Sequence, residues 1–108
     1  MSSKPQPDWQ ERSADFAQKH NLRHDPGVTA LDLISEVGEV AKALLQATDY
    51  GRRPARYEPS LQGELGDVLY SLCCLATAVD VQLEDALTEA LQKYEARWQA
   101  KGHPGSND

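Results

Sequence analysis

From Val68 to Val79 the chain runs twelve residues without a charge. A helix that spans a bilayer needs roughly 20 apolar residues, so this run is too short to cross a membrane and must be covered by protein instead. It ends a longer segment, Ser60 to Val79, in which Leu61, Leu65, Val68, Leu69, Leu72, Leu75, Ala76 and Val79 leave almost no polar side after Asp67. A helix that is apolar all round is buried all round. A chain of 108 residues offers few neighbours to cover every face. The segment is therefore expected to lie in an interface between subunits as well as in its own core, and the protein to be a homodimer or a dimer of dimers.

Three further stretches free of interior proline predict helices. Asp8 to about His20 places Trp9, Ala14 or Phe16, and Ala17 near helical spacing. Gly27 to Thr48 puts Leu31, Ile34, Val37, Gly38, Ala41, Leu44 and Leu45 on one face, with Asp25 as a cap and Pro26 at the first helical position. Leu83 to Lys101 places Ala86, Leu87, Ala90, Leu91 and Tyr94 on one side and is expected to close the bundle. No strand pattern appears. The expected architecture is an all-α, four-helix-type bundle in one domain over residues 8–101, with a disordered N-terminus at 1–7 and a disordered tail at 102–108. Between the second and third helices, Arg52, Arg53 and Arg56 lie among Gly and Pro in a basic loop that is expected to be solvated.

Charge narrows the function classes. With 17 Asp plus Glu against 11 Lys plus Arg, the formal net charge is −6, which argues against binding a nucleic-acid backbone and suits a cation-dependent site. Cys73 and Cys74 are adjacent and cannot join distant segments. Residues 1–7 are polar and lack the apolar core of a signal peptide. A cytoplasmic protein without membrane or nucleic-acid partners is expected.

The acids have a pattern of their own. Ser35-Glu36-Val37-Gly38-Glu39 and Gly63-Glu64-Leu65-Gly66-Asp67 each carry two carboxylates three residues apart, a spacing that places them on neighbouring positions of one helical face. If the two helices pack side by side, Glu36, Glu39, Glu64 and Asp67 can converge, and four like charges there would repel unless a cation neutralised them. An all-oxygen set favours a hard ion such as Mg²⁺. Zinc is disfavoured because no His or Cys stands nearby, and a di-iron site because neither pair is Glu-x-x-His. Gly38 and Gly66 each cost roughly 1 kcal/mol of helix propensity against Ala, which a close approach of helices or ligand would explain.

These blocks resemble the all-α, MazG-type nucleotide pyrophosphohydrolases. The resemblance rests on Glu36-x-x-Glu39, a spacer of 24 residues, Glu64-x-x-Asp67, and a final block from Lys93 to Arg97. It implies hydrolysis of a nucleoside triphosphate between the α and β phosphates, giving the monophosphate and pyrophosphate, in a nucleotide-pool house-cleaning role. It also implies Mg²⁺, with Mn²⁺ as a substitute, held by Glu36, Glu39, Glu64 and Asp67, the first two also being candidates for the general base. Lys42, Lys93 and Arg97 are the candidates for contacting phosphates. The sequence departs from many relatives at Ser35 and Leu91, which stand where a Glu and an Asn are common. Within the same class the substrate alternatives are phosphoribosyl-ATP, dUTP and dCTP. Outside it, the alternative is a catalytically silent helical module that assembles or binds a cation.

Overall fold

The computed structural model describes residues 8–23 and 25–105, and these form four α-helices with no strand among them. Helix α1 spans Trp9–Lys19, α2 Pro26–Ala47, α3 Ser60–Ala78 and α4 Leu83–Lys101. Each begins and ends where the sequence predicts, to within about two residues. The expected disordered segments fall partly outside the described residues, at 1–7 and 106–108.

Local chemistry sets the ends. The Asp8 carboxylate accepts a hydrogen bond from the Glu11 amide at 2.7 Å and caps α1. Pro26 opens α2 as expected, but Asp25, although at the N-cap position, makes no capping bond with its side chain. Gly102, at φ 79°, closes α4 in the left-handed conformation that glycine adopts without penalty. The loop after α2 is exposed from Asp49 to Pro59, and its backbone is tied to the end of that helix: the Arg53 amide donates to the Thr48 carbonyl and the Arg56 amide to the Ala47 carbonyl, each at 3.0 Å.

The core forms where α2 and α1 pack on α3. The face that α2 turns inward carries buried Thr29 and Ala47 with half-buried Leu33, Glu36, Val40 and Ala43 between them, a single stripe at spacings of three and four. The face expected to be buried is the opposite one. Leu31, Ile34, Val37, Gly38, Ala41, Leu44 and Leu45 are all exposed in the single chain, Leu31 by 68% and Ile34 by 67%. The helix is apolar on two sides, and periodicity locates an apolar arc without saying which neighbour covers it.

Helix α3 gives its Ser71, Cys73 and Ala76 to the core, Cys73 being fully buried. Leu65, Leu72 and Val79, spaced by sevens along one line, remain exposed. The glycines differ from expectation too. A Cβ placed on Gly38 or Gly66 would meet nothing within 4 Å, so nothing in the chain itself approaches them closely.

The expected closure of the bundle by α4 does not occur. α4 has no buried residue and no extended packing on the other helices, and the radius of gyration is 17.5 Å against about 13 Å for a compact domain of this length. Its direction is set at the elbow between α3 and α4, where buried Gln10 reaches across from α1. The Gln10 Nε2 donates to the Val81 carbonyl at 2.7 Å and to Thr77 Oγ1 at 3.3 Å, and its Oε1 accepts from the Leu83 amide at 2.7 Å. Truncation strands a helix-start amide and a carbonyl in a half-dry setting. Gln10→Ala is expected to cost about 2 kcal/mol by urea denaturation, with Gln10→Glu intermediate because it keeps the acceptor. No helix among the described residues is long and apolar enough to cross a membrane.

Candidate active site

The antiparallel run of α2 against α3 brings Glu36 opposite the first turns of α3. One carboxylate oxygen from each of Glu36, Glu64 and Asp67 lies within 4.8 Å of the others. Glu36 and Glu64 are half-buried at the packed face, whereas Asp67 stands at the solvent edge. Glu39 is exposed one turn beyond Glu36 and is not part of the three-oxygen group, but its charge reaches Glu36.

The electrostatics follow from this crowding. Desolvation, and then the negative charges of Asp67, Glu64, Glu39 and Asp32, in that order, push the Glu36 carboxyl above its ordinary range. Asp32 is a group that sequence reasoning did not single out. Its signal was available, since it lies one helical turn before Glu36 on the same side.

The donor set suits a hard cation. Three carboxylate oxygens at mutual distances under 4.8 Å, with no sulfur or imidazole in the group, match the preference of Mg²⁺ or Mn²⁺ for a few carboxylates with room left for water and phosphate oxygens.

Beside the carboxylates opens a cleft of about 670 Å³ between α1, the start of α2 and α3. Asp32 and Tyr70 line it, each one helical turn from a carboxylate of the cluster, together with Arg23, Thr29 and Cys74. Burial, and then its hydrogen bond with Cys74, pushes the Tyr70 phenol up to about 12, so it stays a neutral donor across the physiological range. Phe16 meets Tyr70 edge-on, with ring centroids 5.9 Å apart. Burial also pushes the Cys73 thiol up, as befits a cysteine that packs as a small apolar side chain.

The candidate cations are spread out. Lys42 is exposed on α2, one turn past Glu39. Lys93 and Arg97 sit on α4, which has no extended packing on the carboxylate helices. The Lys93 ammonium lies 5.4 Å from the centre of the Tyr94 ring, and Arg97 donates to the Pro104 carbonyl at 3.2 Å. Arg53 and Arg56 line a smaller cavity of about 300 Å³ at the far end of the α2–α3 pair, one to two turns beyond the acids.

The chain is similar in sequence and in fold to known proteins. Residues 25–100 match the family described as the MazG nucleotide pyrophosphohydrolase domain. The uncharacterized protein YpjD of Bacillus subtilis (strain 168) is 35% identical over 68 residues, which cover 60% of this chain and 60% of that protein, less than two-thirds of its length. The crystal structure of YPJD from Bacillus subtilis superposes with a TM-score of 0.69 at 31% identity, covering 90% of this chain and 99% of the other. The crystal structure of the Bacillus-conserved MazG protein, a nucleotide pyrophosphohydrolase, superposes with a TM-score of 0.67 at 25% identity, covering 100% and 97%.

Proposed function

The chain belongs to the MazG nucleotide pyrophosphohydrolase family, and from that premise we propose that it hydrolyses (d)NTPs to (d)NMPs and pyrophosphate with Mg²⁺. The observation that carries this reading is the convergence of Glu36, Glu64 and Asp67 within 4.8 Å beside a cleft large enough for a nucleoside. Family members are generally divalent-cation dependent.

Glu36, Glu64 and Asp67 would hold the ion, with Glu39 completing the set or serving the attacking water. Bound there, Mg²⁺ would offset the charge of the triphosphate and polarise the attacked phosphorus. Glu39 stands outside the three-oxygen group, at the solvent edge, and this favours it over Glu36 as the residue that accepts the proton of the attacking water. Lys42, exposed one turn further along α2, would meet the phosphate tail. The Tyr70 hydroxyl, Thr29 and Asp32 supply the polar groups of the cleft, where a base and sugar would sit. The working unit is a homodimer or a dimer of dimers, and the role is house-cleaning of the nucleotide pool.

Purified protein incubated with a panel of NTPs and dNTPs is expected to release pyrophosphate with Mg²⁺ and none with EDTA. Release that is unaffected by EDTA would refute the cation-dependent reading. A complete lack of products from the whole panel would refute the general (d)NTP reading and leave phosphoribosyl-ATP as the substrate to try.

A further inference from the structure

The cleft beside the carboxylates is lined by two opposite charges. Asp32 lies in the first half of α2, one helical turn before Glu36, and Arg23 lies in the segment that joins α1 to α2. Both are exposed. Three of the other polar groups are engaged within the chain. Thr29 Oγ1 donates to the Asp25 carbonyl at 3.3 Å, Thr77 Oγ1 accepts from Gln10 Nε2 at 3.3 Å, and the Tyr70 hydroxyl is bonded with Cys74. A carboxylate and a guanidinium in one cleft cancel in net charge, so the space suits a neutral ring with donors and acceptors of its own better than it suits a phosphate. Ala14, Ala17 and Ala78 give it small apolar walls, and a volume of about 670 Å³ is that of a small-molecule site. The charge of Asp32 is felt at Glu36, so this end of the cleft lies within electrostatic reach of the carboxylate cluster.

We propose that the cleft selects guanine nucleotides, with the Asp32 carboxylate accepting from N1–H and the 2-amino group of the base and Arg23 donating to O6 and N7. The inference rests on the reading of the chain as a nucleoside triphosphate hydrolase and adds the base. A carboxylate offers two acceptor oxygens side by side and no donor. Among the common bases guanine alone presents two adjacent N–H donors on its Watson–Crick edge. Adenine and cytosine put a ring-nitrogen acceptor beside their amino group, and uracil and thymine flank N3–H with two carbonyls. Each of these would set an acceptor against the carboxylate, and such a mismatch rejects the wrong ligand more strongly than the right contact attracts the correct one. The O6 and N7 acceptors of guanine match the fork of an arginine. O6 stands between the two edges, so one base can meet both side chains.

Turnover of GTP, ITP, XTP, ATP, CTP and UTP with Mg²⁺ tests the proposal on the full chain. The parent is expected to use GTP with a kcat/KM about tenfold or more above that for ITP, which lacks only the 2-amino group, and about a hundredfold or more above those for ATP and UTP. Asp32→Asn should invert the order of GTP and XTP. The amide oxygen still accepts from N1–H, while the amide NH₂ donates to the 2-oxo group of xanthine and opposes the 2-amino group of guanine. Asp32 also bears on Glu36, but a change at the carboxylate cluster affects every nucleotide alike and cancels in the ratio. Arg23→Met should lower GTP and ITP together about tenfold relative to CTP.

Calorimetric binding of the α,β-methylene analogues of GTP and ATP, which bind without being cleaved, separates the proposal from the reaction it rests on. Guanine-selective binding without turnover would sustain the base assignment and refute the hydrolase reading. Turnover in which GTP and ITP are equal, or an Asp32→Asn variant that loses GTP and XTP in the same proportion, would sustain the hydrolase and overturn the base assignment. Neither binding nor turnover of any of these nucleotides would overturn both. Asp32 is exposed, so Asn there disturbs no packing, and the ratio of GTP to ITP needs no variant.

Discussion

Asp67→Asn is expected to lower the Mg²⁺-dependent kcat/KM by about a thousandfold or more, equivalent to about 4 kcal/mol of transition-state stabilisation, while the far-UV spectrum stays that of the parent. Asn keeps the size and one oxygen of Asp but removes the charge, so the cluster is left with two carboxylates for a divalent ion. Asp67 lies at the solvent edge of the cluster, so its loss disturbs no packing and the effect is separable from folding. Glu64→Gln should behave alike in turnover, with helicity intact. Unchanged turnover in both variants, measured by pyrophosphate release, would remove the carboxylate cluster from the mechanism.

The second large effect has opposite signs for stability and for function. Glu36→Gln is expected to raise the melting temperature of the metal-free protein and to abolish the further rise that Mg²⁺ gives the parent. The Glu36 carboxylate sits half-buried, partly desolvated and facing the charges of Asp67, Glu64, Glu39 and Asp32, so its charge is a burden to the metal-free fold. Its folded carboxyl titrates above the ordinary value of 4.5, so the folded state holds a proton that the unfolded chain has already released. Stability from this group is therefore greatest below its unfolded pKa and is lost as pH rises through the folded one. The metal-free parent should accordingly lose stability on going from the acid side towards neutrality relative to Glu36→Gln, in which this slope is absent. Adding Mg²⁺ at a hundredfold excess over its Kd should return about 2.7 kcal/mol to the parent. Calorimetry of both proteins across pH, with EDTA or Mg²⁺, checks every part. A metal-free Glu36→Gln that melts below the parent would show that the acids are stabilised by the chain and need no cation.

Much of the carboxylate cluster is legible in the spacing of its acids. The three-residue interval forces the carboxylates of each pair onto one face, and two such pairs on long amphipathic helices leave few ways to pack without bringing Glu36, Glu64 and Asp67 together. Helix ends are legible for equally local reasons, since Pro26 and Gly102 act within a turn of their own position. The opposite face of α2 shows where local reasoning stops. Leu31, Ile34 and Leu45 satisfy helical periodicity as well as Leu33, Val40 and Ala43 do, and only the tertiary partner distinguishes the two arcs. Gln10 is illegible for a related reason: its hydrogen bonds reach across 67 to 73 residues of sequence, and nothing near it marks a polar side chain that will be buried. The expectation that α4 closes its own bundle follows from its apolar stripe but assumes that the surface it covers belongs to the same chain.

If the carboxylate cluster directs metal-dependent hydrolysis at the α–β anhydride, the broken bond and the fate of the water oxygen are fixed. Phosphorus NMR of a nucleoside triphosphate turned over in ¹⁸O-enriched water tests it most directly, because it reports which bond breaks and which phosphorus takes the water oxygen. Nucleoside monophosphate and pyrophosphate are expected as the only phosphorus products, formed with Mg²⁺ and not with EDTA, with the label in one or the other and none in free phosphate. A diphosphate with labelled inorganic phosphate, or the same products at the same rate in EDTA, would contradict it.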